Sequence, residues 1–360
     1  MITKLINKPA IRGFIDSLPE QNRFIKLSRV LAKSVLLRKK IIRTRQIIFE
    51  GVEDAVLKSS ITVSNSSDEV MIGTIFSIVS SGTERGYYLD LPNFHQERPY
   101  FPGYSGMGKI RSIGKNVADF KKGEIVAGIF KHSSVNVVNP EEIVRVPEGV
   151  DYVHASFITF GVIALTGIRA AGIAAGEKIV IMGQGILGQF VNQMALIKGA
   201  REVVAIALTE GKKEIALKSG VDEFIALNQY QYELSSIVAD VVIDITGSLK
   251  GFENALEIVK PGGRVILLGS IPGYSHESNW AEKVVTKQID IRGAHVRNLK
   301  DEGLTYKEEA NRFLQILADK KLIIDHLITE IYQPEKAPEI HERLANGDKN
   351  LVGVVIDWKG

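Results

Sequence analysis

Between residues 178 and 295 six short apolar, β-branched runs follow one another, 178-KIVIMG, 202-EVVAIAL, 223-EFIAL, 240-DVVIDIT, 263-GRVILLG and 290-DIRGAH, with helical stretches separating the first five. A strand buried on both faces reads as a continuous apolar run, and strands that alternate with helices are joined by crossovers. Six such runs in series predict a doubly wound parallel sheet with right-handed connections. A sheet of this kind has to be covered on both faces, so this feature constrains the fold more than any other.

The first of these strands runs into 183-GQGILG-188, a G-x-G-x-x-G that opens an amphipathic helix. Gly183 allows the tight turn, Gly185 lets the backbone approach a pyrophosphate, and Gly188 lets the helix pack close to the strand. The first helical residues, Ile186 and Leu187, offer free N–H groups and the positive end of the helix dipole to that anion. A Gly-rich turn also closes ordinary strand–helix units; here the strand before it, the helix after it and five further strand-like runs favour dinucleotide binding.

The choice of dinucleotide is made at the end of the second strand, where a carboxylate would bond the ribose 2′-OH of NAD and repel the 2′-phosphate of NADP. This chain reads 205-AIALTEGKKEIAL-217, with Ala207 at the strand end and Glu210 three residues on, followed by Lys212 and Lys213. Thr209 could donate to a phosphate oxygen while a lysine pairs its charge. NADP(H) is expected over NAD(H), although lysines on a helix surface are commonly just its solvated face.

Upstream, residues 41–165 hold short β-type runs such as Gln46–Phe49, Val70–Val79 and Glu124–Ile129 between Gly, Asn and Ser punctuation, which predicts an antiparallel, partly barrel-like domain. Downstream, 305-TYKEEANRFLQILADKK-321 predicts a helix, and the segments ending in 351-LVGVVIDW predict a return to the first domain. At 360 residues the chain is long enough for two domains. Residues 1–45 carry 12 of the 45 Lys and Arg but only two acids, Asp16 and Glu20, so the positive charge is N-terminal. Phe24, Leu27, Leu31 and Val35 recur there at helical spacing, a basic amphipathic helix over 19–40 that either docks on its own protein or meets a membrane surface or an acidic partner.

Cysteine is absent, which removes disulfides, thiolate nucleophiles and Cys-based zinc sites together. No apolar run approaches the ~20 residues that a membrane span needs, and no leader pattern opens the chain. A soluble, cytoplasmic protein is expected. No G-x-S-x-G elbow supports a hydrolase, and no aromatic-interleaved basic surface supports nucleic-acid binding.

Three further segments carry a resemblance. The stretch 80-SSGTE-84 is similar to C-G-[ST]-D, 102-PGYSGMGKIRSIGKNVADFKKGEIV-126 to a G-H-E-x-x-G-x-V segment, and 240–269 to a fourth strand, helix and fifth strand of the medium-chain dehydrogenase/reductase superfamily. Over roughly 41–360 the chain resembles that superfamily. The phrase S-x-G-T-E followed by P-G-Y resembles most its bacteriochlorophyllide hydroxyethyl dehydrogenases and the medium-chain half of some bacterial two-domain oxidoreductases. The resemblance implies a GroES-like β-rich substrate domain (41–165), a Rossmann domain (166–300) and a return to the substrate domain (301–360), after a basic N-terminal extension (1–40). It also implies a dinucleotide touched by Thr246, Gly269 and His295, and a homodimer, to which an edge near Val284–Gly293 could contribute.

Laid on this chain, the zinc enzymes' pattern puts Ser81 at the cysteine ligand, Tyr104 at the histidine ligand and Ser105 at the adjacent glutamate, while Glu84 takes the place of an acid behind the metal. Serine hydroxyls and a phenol make no zinc site at neutral pH, so no metal is expected. Hydride transfer to a carbonyl still needs a group that protonates or stabilises the developing oxyanion. Tyr104 is the leading candidate for that role, with Thr83 as a proton relay and Ser81 and Ser105 as groups that orient a polar substrate. The competing reading of Tyr104 is a half-buried aromatic bonded to a carbonyl. The histidines His95, His132 and His295 are more readily surface or satisfied core residues than catalytic ones. The expected activity is interconversion of a carbonyl and a secondary alcohol on a small or mid-sized organic substrate. The rivals are a conjugated-alkene reductase and, in another class, a non-catalytic dinucleotide-binding partner protein.

Overall fold

The computed structural model describes residues 41–63, 66–228, 234–269 and 280–359. The basic helix expected over 19–40 lies outside the described residues. Strands β1 (Ile41–Gly51) and β2 (Asp54–Val63) form a long antiparallel ribbon. Ile47 and Phe49 of β1 are buried, so the ribbon carries core residues into the body of the protein.

Strand β3 (Val70–Val79) is buried along nearly its whole length because it takes a neighbour on each side. The chain leaves it at Ser80 and enters helix α1 (Ser81–Tyr88). Strands β4 (Gly106–Ile113), β5 (Ile125–Gly128), β6 (Val135–Val138) and β7 (Ile143–Arg145) extend the same sheet antiparallel, with β6 pairing on β3. A short helix α2 (Tyr152–Ala155), capped by the Asp151 carboxylate, leads into α3 (Ile158–Ala171). The sequence of α3, ITFGVIALTGIRAA, is apolar apart from two threonines and Arg169 in its last turn, as befits a helix enclosed in a core rather than lying on a surface. It stops at Gly172, whose left-handed backbone (φ 54°) closes the helix.

The second sheet begins with β8 (Lys178–Met182), crosses through α4 (Ile186–Ile197) to β9 (Glu202–Ala207), and through α5 (Lys213–Lys218) to β10 (Glu223–Ala226). It resumes at β11 (Ala239–Asp244), then α6 (Leu249–Ile258), β12 (Val259–Leu267), α7 (Trp280–Lys287) and β13 (Asp290–Gly293). All five pairings are parallel and the order is β10-β9-β8-β11-β12-β13, so each of the six apolar runs is a strand of one doubly wound sheet. Of the edge anticipated near Val284–Gly293, Val284 belongs to α7 and only β13 is strand, and β13 does lie at the margin of the sheet.

After α8 (Tyr306–Ala318), strand β14 (Ile328–Tyr332), helix α9 (Ala337–Ala345) and strand β15 (Gly353–Asp357) return to the first sheet. Its order is β14-β15-β3-β4-β5-β7, so β15 sits between β14 and β3. The largest core runs without a break from Met107 and Phe157 through Phe160 and Ile168 to Ile179 and Ile243. Helix α3 is the bridge: a Cβ on Gly161 would lie 2.1 Å from the Phe313 ring of α8, and one on Gly167 would lie 2.6 Å from Leu268 just past β12. Those two glycines let α8 and the parallel sheet close onto α3 at van der Waals contact.

Candidate active site

At the end of β8 the backbone takes φ +97° at Gly183, a conformation that favours glycine. A Cβ on Gly188 would stand 2.0 Å from the Gly183 carbonyl oxygen, so only glycine lets α4 start so close beneath the turn. A Cβ on Gly185, in contrast, would meet nothing within 4 Å, which leaves room above the turn for a ligand to approach the backbone. The first N–H groups of α4, at Ile186 and Leu187, have no partner within the helix and point out of its N-terminus. The turn is braced from below by amides that sequence reasoning missed. Gln184 donates to the Ile181 carbonyl, Gln189 to the Gln184 carbonyl, and Asn192 to the Gln184 side chain at 2.8 Å, all three residues being buried. Their only signal in the sequence is polarity on a helix face that the strand pattern requires to be covered.

Thr246 and Gly269 join this turn at the carboxyl ends of β11 and β12. A Cβ on Gly183 would lie 3.1 Å from the Thr246 nitrogen, and one on Gly269 2.6 Å from the Ile245 carbonyl. Thr246 donates through both its N–H and its hydroxyl to the buried Asp244 carboxylate, and burial raises that carboxyl above its ordinary range. These residues fit a dinucleotide: tight backbone, open space above it, and a helix N-terminus aimed at an anion.

The adenosine end is less open than the sequence suggested. Thr209 stands at the start of the turn that follows β9. Lys213 pairs with Glu210 at 3.6 Å, and Lys212 donates to the Leu351 carbonyl. Burial brings the Lys212 ammonium down to about 8, partly offset by Asp348. His295 is exposed past β13, where its Nδ1 accepts the Arg297 N–H.

The other half of the site is built on α1 and the loop that enters β4. Tyr104 donates its phenol proton to the Ser80 hydroxyl at 2.6 Å, and its ring lies 5.3 Å from that of Phe160 on α3. The Thr83 hydroxyl also lies near the phenol. Burial pushes the phenol up to about 12 against the pull of the Ser80 and Thr83 hydroxyls, with the Glu84 charge adding to the rise. The Tyr104 carbonyl accepts from Thr159, whose hydroxyl is 3.0 Å from Tyr306 of α8. The alternative reading of Tyr104 gave its OH a backbone carbonyl; its partner is instead a side-chain hydroxyl.

Glu84 is buried beneath this pair. One carboxylate oxygen accepts the Ser80 N–H at 2.8 Å and His132 Nε2 at 3.0 Å, and the other takes His341 Nε2 at 3.0 Å. Burial opposes its ionisation, but the two histidines outweigh that and hold the carboxyl down at about 2. Of the three histidines weighed above, His95 is exposed beside Asp90, and His132 is fully buried in this cluster. Ser80 and His341 were not foreseen: Ser80 lies next to a recognised motif, but nothing in the sequence links residue 341 to it.

The remaining zinc-pattern positions do not converge on a metal. Ser105 is buried and spends its hydroxyl on the Ser156 carbonyl and the Thr159 N–H. Ser81 opens α1 half-buried. Among the described residues no three His, Asp or Glu side chains are grouped to hold a metal ion. Two serines and a protonated phenol do not fit zinc, which needs thiolate, imidazole or carboxylate ligands.

An antiparallel sheet fused through one helix to a six-stranded dinucleotide-type sheet, with a hydroxyl cluster on the first and the glycine turn on the second, is the build of a two-part dehydrogenase. The fold matches that of the medium-chain dehydrogenases. A zinc-binding dehydrogenase family matches residues 187–316. L-galactonate-5-dehydrogenase of Escherichia coli is 24% identical over 75% of this chain and 88% of its own length. Sorbitol dehydrogenase of Bacillus subtilis is 22% identical over 80% and 90%. Among solved structures, a zinc-binding dehydrogenase from Sinorhizobium meliloti bound to NADP superposes with a TM-score of 0.76 at 18% identity, covering 88% of this chain and 99% of its own. Galactitol-1-phosphate dehydrogenase of E. coli gives 0.75 at 18% identity over 87% and 99%. Among the described residues no helix is long and apolar enough to cross a membrane.

Proposed function

We propose that this protein interconverts a carbonyl and a secondary alcohol on a small or mid-sized organic substrate, using a nicotinamide dinucleotide and no zinc. The observation that carries the reading is the Tyr104 phenol: kept protonated, backed by two hydroxyls, and standing where the resemblance places a metal-binding histidine. The named relatives act on sugar acids and polyols, which supports the alcohol–carbonyl class. When bound, the dinucleotide supplies a hydride to the carbonyl carbon or removes one from the alcohol. As the C=O π pair moves onto oxygen, Tyr104 donates its phenol proton there, so the carbon gains a hydride and the oxygen a proton. Thr83, half-buried and near the phenol, returns a proton to it from solvent. In oxidation both transfers run backwards.

The preference for NADP(H) rests on the absence of a carboxylate at the end of β9 and on the engagement of Glu210 by Lys213. A homodimer through the β13 margin and a cytoplasmic location complete the reading.

The test is turnover of a carbonyl panel with NADPH deuterated at C4, using protein stripped by a strong chelator. Deuterium on the carbinol carbon with activity retained after chelation supports the proposal. Activity that is lost on chelation and restored by zinc, or deuterium at a carbon β to the carbonyl, would overturn it.

A further inference from the structure

Two distant parts of the chain meet where β9 ends. The turn that follows the strand, Glu210–Lys212, lies against the loop between α9 and β15: Lys212 donates to the Leu351 carbonyl, and a Cβ on Gly211 would stand 3.4 Å from Lys349 Cβ and 3.9 Å from Lys349 Cδ. The same Cβ would lie 3.9 Å from the Thr209 hydroxyl oxygen. The Lys349 stem and the Thr209 hydroxyl thus stand over one glycine, beside a strand end that closes with Ala207 and carries no carboxylate. The other charges of this corner are spent. Glu210 pairs with Lys213 at 3.6 Å and Asp348 with Arg343 at 3.0 Å, while Lys212 is turned to the Leu351 carbonyl. Lys349 is exposed, and its ammonium has no ion-pair or hydrogen-bond partner among the described residues.

We infer that Lys349 is the cation that receives the 2′-phosphate of NADP(H), with the Thr209 hydroxyl as a second donor, and that Lys212 and Lys213 hold the turn rather than the cofactor. The group beside the end of the second strand of such a sheet decides between the two cofactors, a carboxylate selecting the free 2′-OH and a cation the 2′-phosphate. Lysine meets phosphate as a point charge on a flexible stem, so it needs no rigid fork around it. The sequence places Lys212 and Lys213 nearest to Thr209, but the first has given its proton to a backbone carbonyl and the second its charge to Glu210. The lysine that stands there with its donors unspent comes from the segment that returns to the first sheet. Cofactor choice would then be made jointly by the two halves of the molecule, the hydroxyl from the parallel sheet and the charge from the loop that enters β15.

This inference rests on the proposed preference for NADP(H), and calorimetric titration of the full chain with NADPH and, separately, with NADH tells the two apart. The wild type should bind NADPH the more tightly. Lys349→Met should lose about tenfold or more in NADPH affinity, the order expected for one charged hydrogen bond, and keep its NADH affinity within about twofold. Lys349→Glu should lose more, because it repels the phosphate, and Lys349→Arg should keep most of the wild-type preference. The side chain is exposed, so all three variants should match the wild type in Tm. Lys212→Met should weaken both cofactors alike, since it frees the turn from Leu351. NADPH affinity unchanged in Lys349→Met overturns the inference and leaves the preference standing. An equal loss with both cofactors does the same, by putting Lys349 on a phosphate that they share. A wild type that binds NADH as tightly as NADPH overturns the preference and the inference together.

Discussion

Burial and the nearby Glu84 charge both favour the protonated form of Tyr104, so the phenol is a donor throughout the ordinary pH range. Carbonyl reduction should therefore be level in its tyrosine-dependent term from neutral pH to about 10, and fall only as pH approaches about 12. Tyr104→Phe should lower kcat by about 10²- to 10⁴-fold, the usual worth of a general acid, while NADPH titration calorimetry shows unchanged binding. Glu84 acts in the opposite direction. Its carboxyl is depressed from 4.5 to about 2, so its contribution to stability is complete above about 4.5 and is lost as pH falls through about 2. Urea midpoints of Glu84→Gln and wild type should accordingly converge as pH is lowered through that window. Midpoints that stay equally far apart from pH 6 to 2.5 would show that the carboxylate's charge does not matter to the fold.

At the scale of elements, the turn between β8 and α4 has no tolerance, since any side chain at 188 collides with the Gly183 carbonyl. Gly188→Ala should weaken NADPH binding by at least tenfold and lower Tm, while Lys218→Gln, exposed at the far end of α5, should do neither. This region was the most legible in the sequence: a parallel strand buried on both faces advertises itself as a continuous apolar run, and the glycine spacing marks where it turns. Val70–Val79, though antiparallel, was equally plain, because it too is buried along nearly its whole length. The β1–β2 ribbon was not, because its residues are mostly half-exposed and alternate weakly, so only Gln46–Phe49 stood out of a strand that runs from 41 to 51. The site behaved likewise. Tyr104 and Thr83 sit in recognisable motifs, but the partners of Glu84 come from residues 132 and 341, and hydrogen bonds across such separations leave no local pattern. Lys212 stood out in the sequence for its charge, but its direction could not be read, because its acceptor is a backbone carbonyl at 351.

For the whole molecule, α3 is the member that both sheets share, and Phe313 of α8 is fully buried against its Gly161. Phe313→Ala should cost about 3–5 kcal/mol in chemical denaturation and lower both cofactor affinity and turnover, since it loosens the joint between the two halves of the site. The placement of β15 between β14 and β3 has a different kind of consequence. A ribosome delivers β3 to β7 long before it delivers residues 353–357, yet β3 lacks its β15 neighbour until then. The parallel sheet, whose strands all lie within residues 178–293, has no such wait. Nascent chains halted short of Trp358 should therefore carry an open sheet edge at β3, vulnerable to proteases and to chaperone capture, beside a glycine turn that is already formed. Synthesis itself would thus set the order in which the two halves of the proposed site form: the glycine turn first, and the Tyr104 half only afterwards.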